Sequence, residues 1–86
     1  DWGLIWQALP DAGFLQGVAA SARALAEGPT GAYLAIREAV TASFDHDMPA
    51  QLALEARLQG QAGRSADFRE GVSAFLQKRP PVFTSR

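Results

Sequence analysis

The sequence predicts a small all-α fold in which a short extended stretch precedes four helices. Apolar residues recur at spacings of three and four along most of the chain, which is the period of an amphipathic helix. Capping residues and Gly or Pro signals divide these stripes into short segments. Because the chain has 86 residues, it forms one domain at most, and its core must be small.

Residues 1–10 are predicted to be an extended connector. The segment from Gly3 to Pro10, "GLIWQALP", is short, apolar and bounded by glycine and proline. This pattern favours a buried strand or an extended connector over a helix. We interpret Trp2 and Trp6 as core or interface residues.

The first two helices are predicted on either side of Gly28-Pro29, a pair that stops a helix. Asp11 is expected to cap the first helix, and Thr30 is expected to cap the second. The segment "DHDMP" is expected to end the second helix. The apolar stripes are Phe14, Leu15, Val18, Ala22 and Leu25 in the first helix, and Tyr33, Ile36, Val40 and Phe44 in the second.

The last two helices are predicted around a loop, "GQAGRS", at residues 60–65. Asp47 is expected to cap the third helix, because Pro49 is tolerated in a first turn, and that helix should run to about Gln59. Ser65 should cap the fourth helix, and Pro80-Pro81 should end it. The stripes are Leu52, Leu54, Ala56 and Leu58, then Phe68, Val72, Phe75 and Leu76.

Composition excludes several classes of partner and site. The net charge of −1 gives no electrostatic case for nucleic acid or an anionic membrane, and no apolar run is long enough to span a bilayer. The chain has no cysteine, which excludes disulfides and Cys-based zinc sites and is compatible with a cytoplasmic protein.

The chain is rich in apolar residues for its length, with 48% hydrophobic residues, which is ample for a globular domain. It also begins at Asp1 rather than methionine. We therefore expect either a fragment of a longer protein or an obligate oligomer, whose helices need more surface to pack on than the chain supplies.

A metal site is not favoured by the only histidine, which lies in "DHD" (Asp45, His46, Asp47). Consecutive residues rarely converge on one ion, so we favour a solvated loop and expect no metal. The sequence contains no Gly-rich phosphate loop and no HExxH motif.

Two carboxylates stand among apolar residues, Glu55 in the third helix and Glu70 in the fourth. A buried carboxylate could act as a general acid. The alternative that we favour is an ion pair at the edge of the apolar face, with Arg64 or Arg69 as the partner.

Phe75 and Lys78 lie three residues apart, at about 60° from each other around the helix. An aromatic ring beside a flexible cation suits an adenine ring with its phosphates. The alternative is structural: Phe75 belongs to the core face, while Lys78 and Arg79 favour the partial negative charge of a helix C-terminus.

Four segments of the chain resemble the crotonase (enoyl-CoA hydratase/isomerase) superfamily, in the correct order. They are "WGLIWQALP", "LAEGPTGAYLAIREAV", "QLALEARLQ" and "AGRSADFREGVSAFLQKRPPVF". The last contains the family's Glu-Gly and Ala-Phe-x-x-Lys-Arg-x-Pro-x-Phe pattern. It is most similar to the branch of ring-1,2-epoxyphenylacetyl-CoA isomerases, which act in phenylacetate degradation.

The resemblance implies a four-helix C-terminal segment of a crotonase-type fold. In that family a spiral of ββα turns precedes the helices, which form the trimer contact and close over the acyl-CoA site. Residues 11–86 would be this trimerisation or lid region, in a parent that assembles as a trimer or a dimer of trimers. The oxyanion-hole amides and catalytic carboxylates belong to the spiral, so no catalytic residue is carried over to this chain.

The resemblance also implies that Phe75 and Lys78 contact coenzyme A, Phe75 at the adenine and Lys78 at a phosphate. Arg79 would serve the helix end or a subunit contact, and the prolines would steer the tail away. The parent would convert a CoA thioester without a further cofactor, as an isomerase or a hydratase acting through an enolate. We expect this chain alone to be inactive; the alternative is a helical oligomerisation module that binds no CoA.

Overall fold

Four α-helices make up the regular structure of the described part of the chain. A computed structural model describes residues 2–86, and these contain no β-strand. The helices are α1 (Phe14–Ala26), α2 (Thr30–Ala42), α3 (Met48–Gly63) and α4 (Ala66–Gln77). The predicted all-α architecture of four helices after a non-helical stretch is confirmed.

The helices form an open plate centred on α3. Helix α3 packs against α2 and α4, whereas α1 makes at most weak contacts with the other helices. The Cα radius of gyration is 16.3 Å, against about 12 Å for a compact domain of this length. The buried apolar side chains of residues 2–86 are Leu58 and Ala74, so the core is small.

Apart from Leu54 and Leu58 of α3, the predicted apolar stripes face outward rather than inward. In α2, Ile36, Val40 and Phe44 are 60%, 57% and 85% exposed, while the partly buried residues are alanines. Small side chains let neighbouring helix axes approach closely, so the alanine side packs and the large side chains remain exposed. The partly buried alanines are Ala32, Ala35, Ala39 and Ala42.

The N-terminal tryptophans are not core residues. Trp2 and Trp6 are 91% and 87% exposed, which contradicts their interpretation as core residues. The residue of this stretch that packs is Leu9, which lies over Gly17 so closely that an added Cβ there would be 2.7 Å from a Leu9 methyl carbon.

Two predicted helix starts are wrong. Helix α1 begins at Phe14, after Gly13 in a left-handed conformation (φ 93°), and not at a cap by Asp11. The Asp11 carbonyl instead accepts a bond from the Phe14 N–H in a preceding turn. In α2, Thr30 is the first residue inside the helix rather than its cap. Pro29 precedes the helix, and no side chain caps its start.

Helix α3 is longer than predicted and takes up most of the expected loop. It continues past Gln59 to Gly63, although glycine inside a helix costs about 1 kcal/mol. The end is stabilised by Ser65, whose hydroxyl donates to the Ala62 carbonyl at 2.7 Å. Ser65 also accepts the Phe68 N–H at 3.0 Å, so the predicted cap of α4 is confirmed.

The predicted cap of α3 is also confirmed, because Asp47 Oδ1 accepts the Ala50 N–H at 3.0 Å. Asp47→Ala should lower the free energy of unfolding of the protein by about 1 kcal/mol. Thr30→Ala is the matched control and should leave the free energy of unfolding unchanged or raise it by up to about 0.5 kcal/mol, because no cap bond is lost and alanine is the better helix former. Urea unfolding measures both, and equal losses would contradict these assignments.

Candidate functional site

Lys78 ends α4 in a left-handed backbone conformation, with φ 54° and ψ 41°. The Lys78 N–H donates to the Phe75 carbonyl at 3.2 Å, and the Arg79 N–H donates to the Ala74 carbonyl at 3.0 Å. This pair of bonds is a Schellman motif, in which glycine is the usual left-handed residue. A residue with a Cβ costs about 1–2 kcal/mol there, and retained backbone strain is a feature of functional sites.

Arg79, the cation beside Lys78, is held by Glu70. Arg79 Nη1 lies 2.5 Å from Glu70 Oε1, and Nη2 lies 3.0 Å from Oε2. Glu70 Oε1 also accepts the Val82 N–H at 2.9 Å. The predicted ion pair of Glu70 therefore exists, but its partner is Arg79 rather than Arg64 or Arg69.

These bonds keep Glu70 ionised. The side-chain hydrogen bond from Arg79 and then the backbone bond from Val82 lower the pKa of Glu70 from 4.5 to about 2. The same pair raises the pKa of Arg79. A carboxylate fixed in this way is a poor general acid, because it does not hold a proton near neutral pH.

The Glu70 pair should make stability fall in acid. A carboxyl whose pKa is lower in the folded state stabilises fully above pH 4.5, and this contribution is lost as the pH falls toward about 2. As the pH is lowered over this range, the Tm of the protein should therefore fall more steeply for wild type than for Glu70→Gln. Parallel curves would contradict the assignment.

Phe75 and Lys78 are exposed at the same helix end. Phe75 is 82% exposed, so the prediction that it belongs to the core face is wrong. Among residues 2–86, no carboxylate forms a salt bridge with Lys78. An open aromatic ring and an available ammonium group are thus three residues apart.

The tail after Pro80-Pro81 folds back along α4 instead of leaving it. Asp67, which is 7% exposed, accepts the Thr84 N–H at 2.7 Å, and its own N–H donates to the Arg86 carbonyl at 2.9 Å. Phe83 lies over Gly71. The expectation that the prolines steer the tail away is contradicted, because these carboxylate and backbone bonds return it.

An apolar cavity of about 600 Å³ opens between α2, α3, α4 and the returning tail. Phe68, Val72, Phe75 and Phe83 contribute to its wall. The sequence carried no signal for this cavity. Its shape depends on the contacts of Phe83 and Thr84 in the returning tail with α4, and local patterns do not predict such contacts.

The other candidate residues do not form a site. His46 Nδ1 lies 3.2 Å from Gln51 Oε1, and Glu55 accepts from Gln51 Nε2 at 2.9 Å. Residues 2–86 contain no group of three metal-ligating side chains. No helix in the described part of the chain has the length and apolarity to cross a membrane.

Comparison with known proteins identifies the family. The model of the enoyl-CoA hydratase/isomerase family matches residues 1–86. A probable enoyl-CoA hydratase of Rhodobacter capsulatus is 58% identical over 84 residues, which is 98% of this chain and 33% of the relative. The 1,2-epoxyphenylacetyl-CoA isomerase of Escherichia coli is 44% identical over 86 residues, 100% of this chain and 33% of the relative.

A solved structure supports the same assignment. The enoyl-CoA hydratase crystal structure from Geobacillus kaustophilus matches with a TM-score of 0.80 and 32% identity, over 91% of this chain and 30% of that one. The chain belongs to the enoyl-CoA hydratase/isomerase family, and its four helices are a fragment of the crotonase-type fold. It spans about a third of the length of these relatives. The predicted family and the likeness to 1,2-epoxyphenylacetyl-CoA isomerase are confirmed.

Proposed function

We propose that this chain is the C-terminal helical region of an acyl-CoA isomerase or hydratase that acts through a thioester enolate. The substrate would be 2-(1,2-epoxy-1,2-dihydrophenyl)acetyl-CoA or an enoyl-CoA, and the location the cytoplasm. The observation that carries the proposal is the family match over residues 1–86, together with relatives of both names. Residues 1–10 would connect to the spiral core, and residues 11–86 would form the trimerisation or lid region.

In this proposal the chemistry is done outside the chain. An enolate needs hydrogen-bond donors directed at its developing oxyanion, and these donors would belong to the spiral core. Glu55 and Glu70, the two carboxylates that stand among apolar residues in the sequence, are hydrogen-bonded to Gln51 and Arg79. The chain would bind and cover the substrate without reacting with it.

Phe75 and Lys78 would bind the nucleotide part of coenzyme A. The exposed ring offers a face for the adenine, and the ammonium group offers a charge to a phosphate. Two observations support this: Lys78 has no salt-bridge partner in residues 2–86, and it holds a position that favours glycine.

The outward apolar faces would be covered by the rest of the enzyme and by neighbouring subunits. Side chains such as Ile36, Phe44 and Leu76 are 60%, 85% and 74% exposed, and exposed apolar surface of this kind marks an interaction site.

The test is to assay the complete protein with an enoyl-CoA and with the ring-epoxide thioester, alongside the isolated chain. We expect the complete protein to turn over one of the two thioesters and the isolated chain to turn over neither. Turnover by the isolated chain would contradict the proposal. A complete protein that assembles but binds no CoA thioester would instead support the oligomerisation module.

A further inference from the structure

The proposed CoA contact leaves unexplained why two adjacent cations, Lys78 and Arg79, behave so differently. Arg79 is occupied: besides its two bonds to Glu70, its Nε lies 2.9 Å from Gln77 Oε1 and its Nη1 lies 3.2 Å from the Pro80 carbonyl. No salt bridge occupies Lys78 within residues 2–86. Only one of the two charges is therefore available to a ligand.

Glu70 bonds to Arg79, which follows Lys78, and to Val82, which follows Pro80-Pro81. Both of its oxygens bond to Arg79, and Oε1 also accepts the Val82 N–H at 2.9 Å. Because Glu70 lies inside α4, the rigid helix anchors this clamp. The Schellman bonds to the Ala74 and Phe75 carbonyls thus hold the backbone at Lys78 to the helix. The clamp, meaning the bonds of Glu70 to Arg79 and Val82, holds the chain that follows Lys78.

We propose that Glu70 is a positioning residue for coenzyme A binding: it holds Arg79 and the Val82 N–H, and so fixes Lys78 in its ligand-binding orientation. This inference rests on the proposed function. A lysine in a left-handed conformation has other backbone states within reach, and ordering it on binding would lower affinity. The clamp removes this cost before the ligand arrives.

Charge alone and positioning predict opposite effects of removing the Glu70 charge on CoA affinity, which makes the proposal testable. Removing the Glu70 charge frees Arg79, and a second free cation would strengthen phosphate binding if charge alone mattered. If positioning matters more, Glu70→Gln in the complete protein should raise the Kd for a CoA thioester about two- to tenfold. Arg79→Gln breaks the same clamp from its other side and should have a similar effect.

A double-mutant cycle separates positioning from general damage. If Glu70 acts through Lys78, then Glu70→Gln should weaken binding in the wild-type background and have almost no effect in the Lys78→Ala background. Glu55→Gln is the matched control, since this α3 carboxylate bonds only to Gln51 among the described residues, and it should leave Kd unchanged. Thermal unfolding confirms that each variant is folded.

Each outcome of the cycle decides a different statement. Full additivity of Glu70→Gln and Lys78→Ala, or tighter binding by Glu70→Gln, would overturn the positioning role. If Lys78→Ala itself leaves Kd unchanged, the proposed CoA contact fails first. Weaker binding by Lys78→Ala with no effect of Glu70→Gln would retain that contact and reject the clamp.

Discussion

Replacing Lys78 with glycine is expected to stabilise the complete protein while weakening its binding of a CoA thioester. Glycine adopts the left-handed conformation without the steric cost of a Cβ. After allowing for the extra freedom of glycine in the unfolded chain, we expect a gain of about 0.5–1 kcal/mol in the free energy of unfolding.

The affinity should change in the opposite direction. A hydrogen bond to a charged group contributes about 1.5–3 kcal/mol, so losing the ammonium group should raise Kd about tenfold or more. Lys78→Ala is the control, because it also removes the charge but keeps a Cβ and should give no gain in stability. A Lys78→Gly variant that binds as tightly as wild type would show that Lys78 only ends the helix.

Replacing Leu58 with alanine should produce the largest loss of stability. Leu58 is 6% exposed and belongs to α3, the helix against which both α2 and α4 pack. Leu→Ala in a core costs about 2–5 kcal/mol, because apolar burial is lost and a cavity remains.

Urea unfolding of the complete protein measures this loss. Gln59→Ala is the matched control on the next position of the same helix; its side chain is exposed, and the change should stay within about 0.5 kcal/mol. Similar small losses for both variants would show that Leu58 is not the centre of the packing between the helices.

The division into helices could be predicted from local signals. Asp47 and Ser65 cap helices because their side chains reach backbone N–H groups three residues ahead. Asp11 and Thr30 have the same chemistry, but the chain enters those helices through Gly13 and Pro29. Local chemistry thus indicates where a helix can begin, whereas the path of the preceding residues decides where it does.

Apolar periodicity predicted the buried Leu58 of α3 but not the packed face of α2. In α2 the large residues form the more obvious stripe, yet the alanine side is the partly buried one. Periodicity finds an apolar face without stating what it packs against. In a fragment of a larger fold, the strongest stripes can serve surfaces outside the chain.

The candidate site was predictable only in part. Spacing and resemblance brought Phe75 and Lys78 together, and both are exposed at the end of α4. The left-handed backbone of Lys78 and the Glu70–Arg79 pair were not predictable, because Glu70 and Arg79 are nine residues apart across a helix end. The bond from Thr84 to Asp67 spans seventeen residues and depends on the return of the tail.

The central claim is that Phe75 and Lys78 recognise the nucleotide of coenzyme A, and a truncated substrate tests it most directly. An N-acetylcysteamine thioester of the same acyl group keeps the reacting carbonyl but lacks the nucleotide. We would measure kcat/KM of the complete protein for both thioesters, in wild type and in Lys78→Ala. The account predicts a loss of about tenfold or more for the CoA thioester and no change for the truncated one. An equal loss for both, or no loss for either, would contradict it.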